Sequence, residues 1–224
     1  MRAPGCANPL RGCGGATDPR STSGGRWRAY APDGGLVLAT GPDGLGRGGG
    51  VWSLHGATWS AVGGSGSPLS GARVRALAFS RSGTPLVASG RGVWEFARGA
   101  WSLVGGPRAP RVLGGTVAFA VCPSGTVVAA TSDQGTWEWD GRAWRQVGGG
   151  ETWRPMSMAA VTCGRGGRLL AIEGETGPWQ YAGGRWSRLP GTGDALTSGG
   201  ALTLAPDGTA IFGGQGVWAY GVRR

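Results

Sequence analysis

Short apolar runs separated by glycine-rich turns recur along the chain, and each recurrence repeats the same order of apolar and polar positions. The unit is clearest between residues 73 and 106. A first run at 76–79 is closed by the turn Arg81-Ser82-Gly83, and a second, uninterrupted apolar run occupies 86–88. The next segment alternates, with Trp94 and Phe96 flanking Glu95. After Arg98-Gly99, Trp101 opens a last run ending at Val104. Alternation with period two describes a strand with one buried face, whereas a short continuous apolar run describes a strand buried on both. Each unit therefore predicts four short strands. The first strand recurs at 117–121, 159–162 and 201–204, with a more polar version near 27–30. The second recurs at 36–39, 127–130, 169–172 and 210–212. Between them stand turns such as Ala31-Pro32-Asp33-Gly34 and Cys122-Pro123-Ser124-Gly125. Proline presets the first corner of such a turn and glycine accepts the positive φ.

The interval is set by tryptophan. Pairs seven residues apart recur as Trp52/Trp59, Trp94/Trp101, Trp137/Trp144 and Trp179/Trp186, and the first member returns after 42, 43 and 42 residues, then after 39 at Trp218. A glycine precedes it by two positions each time: Gly50, Gly92, Gly135, Gly177 and Gly216. A period of this length built from strands predicts a β-propeller. The expectation is all-β, with about five four-stranded antiparallel blades; the last unit stops after its third strand, so either an N-terminal segment supplies the missing outer strand, or the last blade is short of one strand, or the chain is a fragment. The alanine-rich first strand is expected innermost, where only small side chains fit. Residues 1–24, which lack apolar periodicity, are read as a low-complexity tail, and 25–224 as the propeller domain. Each periodic tryptophan buries on the order of 150–250 Å², which makes it packing material.

Residues 123–144, running from Pro123-Ser124-Gly125 through Gly135-Thr136-Trp137-Glu138-Trp139 to Asp140-Gly141-Arg142-Ala143-Trp144, resemble the repeats of two-component-regulator-type propellers. The Asp140 turn is similar to a degenerate sialidase-type Asp-box, and the spacing from Trp144 to Val147-Gly148 is similar to tectonin lectin repeats. The resemblance spans about 25–224. It implies a propeller and a role among sensors, lectins, glycosidases or scaffolds.

Composition narrows this only slightly. The formal charge is +10 and all 22 basic residues are arginine. An acidic partner would suit that balance, but the arginines are scattered, and the helical or single-strand-binding motifs of nucleic-acid readers are missing. Nucleic acid is therefore not an expected partner. No apolar stretch approaches the roughly 18 residues of a membrane span, and no signal-peptide pattern opens the chain, so the default compartment is cytoplasmic. The cysteines lack metal-site spacing. Cys122 and Cys163 share a repeat phase on adjacent blades, and the expectation is two free buried thiols.

Catalytic groups are sparse. Tyr181 and Tyr220 occupy the aromatic repeat position, Tyr30 ends a first strand, and His55, the single histidine, lies in a turn. Neither a sialidase-like constellation nor a nucleophile triad can be assembled from them, so the chain reads as a non-enzyme needing no cofactor or metal. The alternative is a degenerate glycan-acting hydrolase. Sites on repeat scaffolds are built in loops, and here the connections from each fourth strand to the next first strand, at 63–73, 105–114, 148–157 and 191–199, run about ten residues. They are expected on the same face as the second-to-third-strand loops. Trp153, Arg154, Glu151, Arg108 and Arg111 are the ligand-binding candidates, for a protein or glycan partner that an arginine-rich face would prefer anionic.

Overall fold

A computed structural model describes residues 26–31, 34–41, 49–64, 66–148, 158–174, 176–190, 201–205, 207–213 and 216–221. Apart from short 3₁₀ turns, the described residues form β-strands in five antiparallel sheets. The first sheet contains β1 (Arg26–Tyr30), β2 (Leu36–Thr40), β3 (Gly50–His55) and β4 (Thr58–Ala61). The second contains β5 (Val74–Phe79), β6 (Pro85–Ser89), β7 (Gly92–Ala97) and β8 (Ala100–Leu103). The third contains β9 (Thr116–Val121), β10 (Val127–Thr131), β11 (Thr136–Trp139) and β12 (Trp144–Gln146). The fourth contains β13 (Met158–Cys163), β14 (Leu169–Glu173), β15 (Gly177–Ala182) and β16 (Arg185–Arg188). The fifth has three strands, β17 (Ala201–Leu204), β18 (Ala210–Gly213) and β19 (Val217–Tyr220). In every sheet the strands pair in chain order. These are the blades of a β-propeller, as the tryptophan period predicts. Among the described residues no helix is long and apolar enough to cross a membrane.

The chain divides into two compact units, one comprising Met1–Gly90 with Trp94–Ser102, the other Arg91–Val93 with Leu103–Arg224. In the first, Val37, Ala39, Val51, Leu69, Val87 and Trp101 form the core. In the second, one core gathers Val128, Ala130, Val161, Leu169, Ala171 and Trp186, and another joins Leu170 and Ile172 to Ala210 and Phe212. The second strands supply most of this interior, and β10 and β14 are buried along their whole length. Within each unit the alanine-bearing first strands of successive blades meet, β1 with β5 in one, β13 with β9 and β17 in the other. Small side chains permit that approach.

Three first strands begin earlier than their apolar runs suggest. The ladder slips between Val74 and Ala76, opposite Ala130 and Thr131, and between Met158 and Ala160, leaving Arg75, Val117 and Ala159 as extra residues. These are bulges, which twist a strand locally and re-aim its side chains.

The outer strands are fastened by their tryptophans. Trp101 Nε1 donates to the Val62 carbonyl at 2.8 Å, Trp144 Nε1 to the Val104 carbonyl at 2.8 Å, and Trp186 Nε1 to the Val147 carbonyl at 3.4 Å. The next residue is a glycine of positive φ in each case, Gly63, Gly105 or Gly148. A Cβ on Gly63 would lie 2.6 Å from Trp101 Cδ1, and one on Gly105 would lie 2.8 Å from Trp144 Cδ1. Each of these two rings also leans on the aromatic side chain opposite it, with centroids 5.2 Å apart for Phe96 and Trp101 and 5.8 Å for Trp139 and Trp144.

The cysteine expectation is overturned. Cys122 and Cys163 are joined by a disulfide, with Cα atoms 5.2 Å apart. Treating adjacent blades as too distant overlooked the convergence of β9 and β13, which carries the ends of these innermost strands into the 4.4–6.8 Å range a disulfide needs. Replacing both cysteines by serine opens a link across 41 residues of sequence, and chain entropy puts the loss at about 4 kcal/mol. Urea unfolding of the oxidised protein and the double variant measures it, and identical midpoints would show that the bond does not constrain the unfolded chain.

Candidate functional site

Antiparallel blades place the first-to-second and third-to-fourth turns at one end, and the second-to-third turns with the inter-blade connections at the other. At the first end the first-to-second turns of four blades share one backbone pattern, while the fourth blade makes a 3₁₀ turn at Arg165–Gly167. Ser80 and Gly83, Cys122 and Gly125, and Ala205 and Gly208 close the same pair of backbone hydrogen bonds at 2.8–3.0 Å. Its side chains serve the turns: Ser82 Oγ lies 2.8 Å from Ser80 Oγ and 3.0 Å from Thr84 Oγ1. Asp140 Oδ1 accepts from the N–H groups of Arg142 and Ala143 at 2.8 and 2.9 Å. These two N–H groups, Ala143 first, hold its carboxyl below the ordinary aspartate range, with Arg145 adding a smaller electrostatic contribution.

The other end differs from blade to blade. After β8 the chain makes a 3₁₀ turn at Gly106–Arg108, extends through Ala109 and Pro110, and turns again at Arg111–Gly115. Leu113, 1% exposed, plugs this connection into the interior, and the Thr116 hydroxyl caps its carbonyl at 2.7 Å. Ser132 N–H donates to the Gly115 carbonyl at 3.1 Å, so the connection is fastened to the second-to-third turn of the blade it leads into, beside Asp133. In the first unit Leu69 is likewise fully buried, but Gly71 N–H donates to the Gly49 carbonyl at 3.0 Å, which fastens that connection to the second-to-third turn of the blade it leaves. Connections and second-to-third turns thus share a face.

Of the residues singled out from sequence, Arg108 and Arg111 stand exposed on the two 3₁₀ turns, three positions apart. Glu151, Trp153 and Arg154 lie outside the described residues. His55, expected in a turn, is instead the exposed last residue of β3, paired with Thr58, while Tyr30 is 73% exposed and Tyr181 packs against Trp186 with centroids 5.4 Å apart. Glu173, a carboxylate only 7% exposed at the end of β14, belongs to the same variable end. Its signal in the sequence was present but faint: an acidic residue at the close of an apolar run where other blades have Thr40, Ser89 or Thr131. Among the described residues no group of three acidic, histidine or cysteine side chains could hold a metal ion.

No protein-family model matches the chain, nor does any curated protein sequence. Solved structures do. Virginiamycin B lyase from Staphylococcus aureus superposes with a TM-score of 0.63 at 10% identity, over 90% of this chain and 71% of that one. A streptogramin B lyase gives 0.63 at 13%, over 91% and 70%. The extracellular domain of a protein described as a hybrid two-component system, from B. thetaiotaomicron, gives 0.63 at 11%, over 83% of this chain and 25% of that one. At such identities the likeness establishes the fold. It also corrects the reading of the chain as a non-enzyme, because this arrangement of blades occurs in lyases as well as in an extracellular domain of a two-component system. The tyrosines and His55 do not exhaust a repeat scaffold's chemistry, since sites on such scaffolds are commonly built in loops.

The Asp140 turn has a direct check. A carboxyl whose folded pKa is depressed contributes stability that is complete above the unfolded value and is lost as pH falls through the folded one. Side-chain NMR titration should place the Asp140 midpoint below that of an unstructured aspartate, with the Arg142 and Ala143 amide protons shifting in step. An unshifted midpoint would contradict the turn geometry.

Proposed function

We propose that the chain is a recognition domain that binds a glycan or a protein surface at the end where the inter-blade connections meet the second-to-third turns. The observation that carries this reading is the Ser132-to-Gly115 bond, which fixes a connection bearing exposed Arg108 and Arg111 against the turn that bears Asp133. Most periodic positions are committed to packing and the opposite end is closed by short turns, so the connections offer the longest variable segments. Trp153, Arg154 and Glu151 belong to the equivalent connection one blade later and are assigned to the same surface. The likeness to an extracellular two-component domain supports a sensory or binding role, and the Cys122–Cys163 bond suits an oxidising compartment outside the cytoplasm. The lyase neighbours supply the competing reading, chemistry on a bound ligand.

A mixed array of neutral and anionic glycans and acidic peptides identifies the ligand. Arg108→Ala combined with Arg111→Ala should weaken binding about ten-fold or more, and Ser82→Ala at the opposite end should leave it unchanged. For an anionic ligand, affinity should fall with added salt, because exposed charges separated by more than about 8 Å are screened at 0.15 M ionic strength. Loss on Ser82→Ala with retention in the arginine variant would put the site at the other end. Product analysis of the bound ligand separates recognition from turnover.

A further inference from the structure

The last residue of the second strand is a small hydroxyl in three blades and a carboxylate in the fourth. Thr40, Ser89 and Thr131 are each 0% exposed, and β14 ends instead on Glu173 at 7%. Thr131 shows what the position requires. Its hydroxyl donates to the Gly135 carbonyl at 2.8 Å and accepts the Gln134 N–H at 3.0 Å, closing the turn into the third strand. In the fourth blade Glu173 Oε2 takes over the accepting part of that work. It accepts from the Thr176 N–H at 2.8 Å and from the Thr176 hydroxyl, which in turn accepts the Trp179 Nε1–H at 2.7 Å.

One carboxylate oxygen therefore satisfies the fold, and a threonine would do the same without burying a charge, which is costly unless the charge is paired and hydrogen-bonded. The second oxygen is surplus to the turn. Oε1 has no hydrogen bond among the described residues. It is also absent from the buried polar side-chain atoms that lack partners, which are the Nε1 atoms of Trp52, Trp59 and Trp94 and the Thr136 hydroxyl. It is thus held at the edge of an apolar interior with access to solvent. The ion pair of Arg145 with Asp140, at 3.4 Å, lies in another blade. Opposite Glu173 in the ladder is Met158, beside the bulge whose extra residue, Ala159, is exposed. Met158 is also where the connection carrying Glu151, Trp153 and Arg154 rejoins the sheet.

We infer that Glu173 is a ligand-binding carboxylate and that its free oxygen accepts hydroxyl groups of an uncharged saccharide. Charge-assisted O–H···O⁻ bonds are short and about twice as strong as neutral ones. A neutral ligand also avoids the repulsion that a +10 chain exerts on cations. The inference rests on recognition occurring at this end of the blades, and it selects glycan over protein there.

The test uses the uncharged hexasaccharides of glucose, mannose and N-acetylglucosamine, titrated by tryptophan fluorescence against the full chain, Glu173→Thr and Glu173→Gln. The threonine variant restores the residue type of the other blades. The glutamine variant, with its carbonyl taken by the Thr176 N–H, turns an NH₂ outward. At least one sugar should bind the natural chain. Both variants should weaken that sugar at least ten-fold, and Glu173→Thr should melt at the same temperature as the natural chain or higher. Unchanged sugar binding in both variants would overturn the role of Glu173 and leave the recognition surface standing. A lowered melting temperature in Glu173→Thr would show that the carboxylate is structural. No binding of any of the three sugars by the natural chain would overturn the saccharide assignment while leaving the protein-surface reading intact.

Discussion

An indole N–H on each of three outer strands reaches back to the carbonyl that closes the outer strand before it, and at Gly63 and Gly105 the ring lies where a Cβ would come within 3 Å. Much of the fold depends on this contact. Blades of three to six residues per strand expose too much edge to persist singly, and glycine removes the aliphatic bulk that would otherwise join them. Indole replaces it with a large apolar face and one directed donor. The two periodic residues are one device: without glycine the ring cannot seat, and without the ring the glycine is an unfilled depression. Trp59 has the same place in the first blade, and its Nε1 is buried without a partner.

Much of this was legible in the sequence. Gly50, Gly92, Gly135 and Gly177, each two residues before a third-strand tryptophan, all adopt positive φ, which explains why that offset recurs. The continuous apolar second strands β10 and β14 are buried throughout, and the alanine-rich first strands are those that meet their neighbours. Departures arise where one blade's geometry depends on another's. Cys122 and Cys163 share a repeat phase, yet only the convergence of first strands makes that phase a bond. Bulges at Arg75, Val117 and Ala159 leave no mark in hydrophobic periodicity, since an extra residue at a strand's start reads as turn.

The candidate site was legible as a location more than as a set of groups. Length and irregularity marked the connections, and the backbone bonds from Ser132 and Gly71 place them beside the second-to-third turns. Glu173 was harder to isolate, because an acidic residue ending a strand is ordinary until its register shows that a threonine would suffice. The non-enzyme reading failed for a related reason. Periodic positions are where a repeat protein is most constrained to pack, so their lack of catalytic groups says little about loops that vary freely.

The central claim is that tryptophan and glycine act as a single interblade contact, and a double-mutant cycle between Gly105 and Trp144 measures it most directly. Gly105→Ala in the natural chain should cost the left-handed backbone strain of about 1–2 kcal/mol plus a further overpacking penalty of about 1–3 kcal/mol against the ring. In a Trp144→Ala background the overpacking penalty should vanish and only the strain should remain. A coupling above about 1 kcal/mol, read from urea unfolding of the four proteins, is the result expected. Additive losses would mean that glycine and ring contribute independently and that something else holds these blades together.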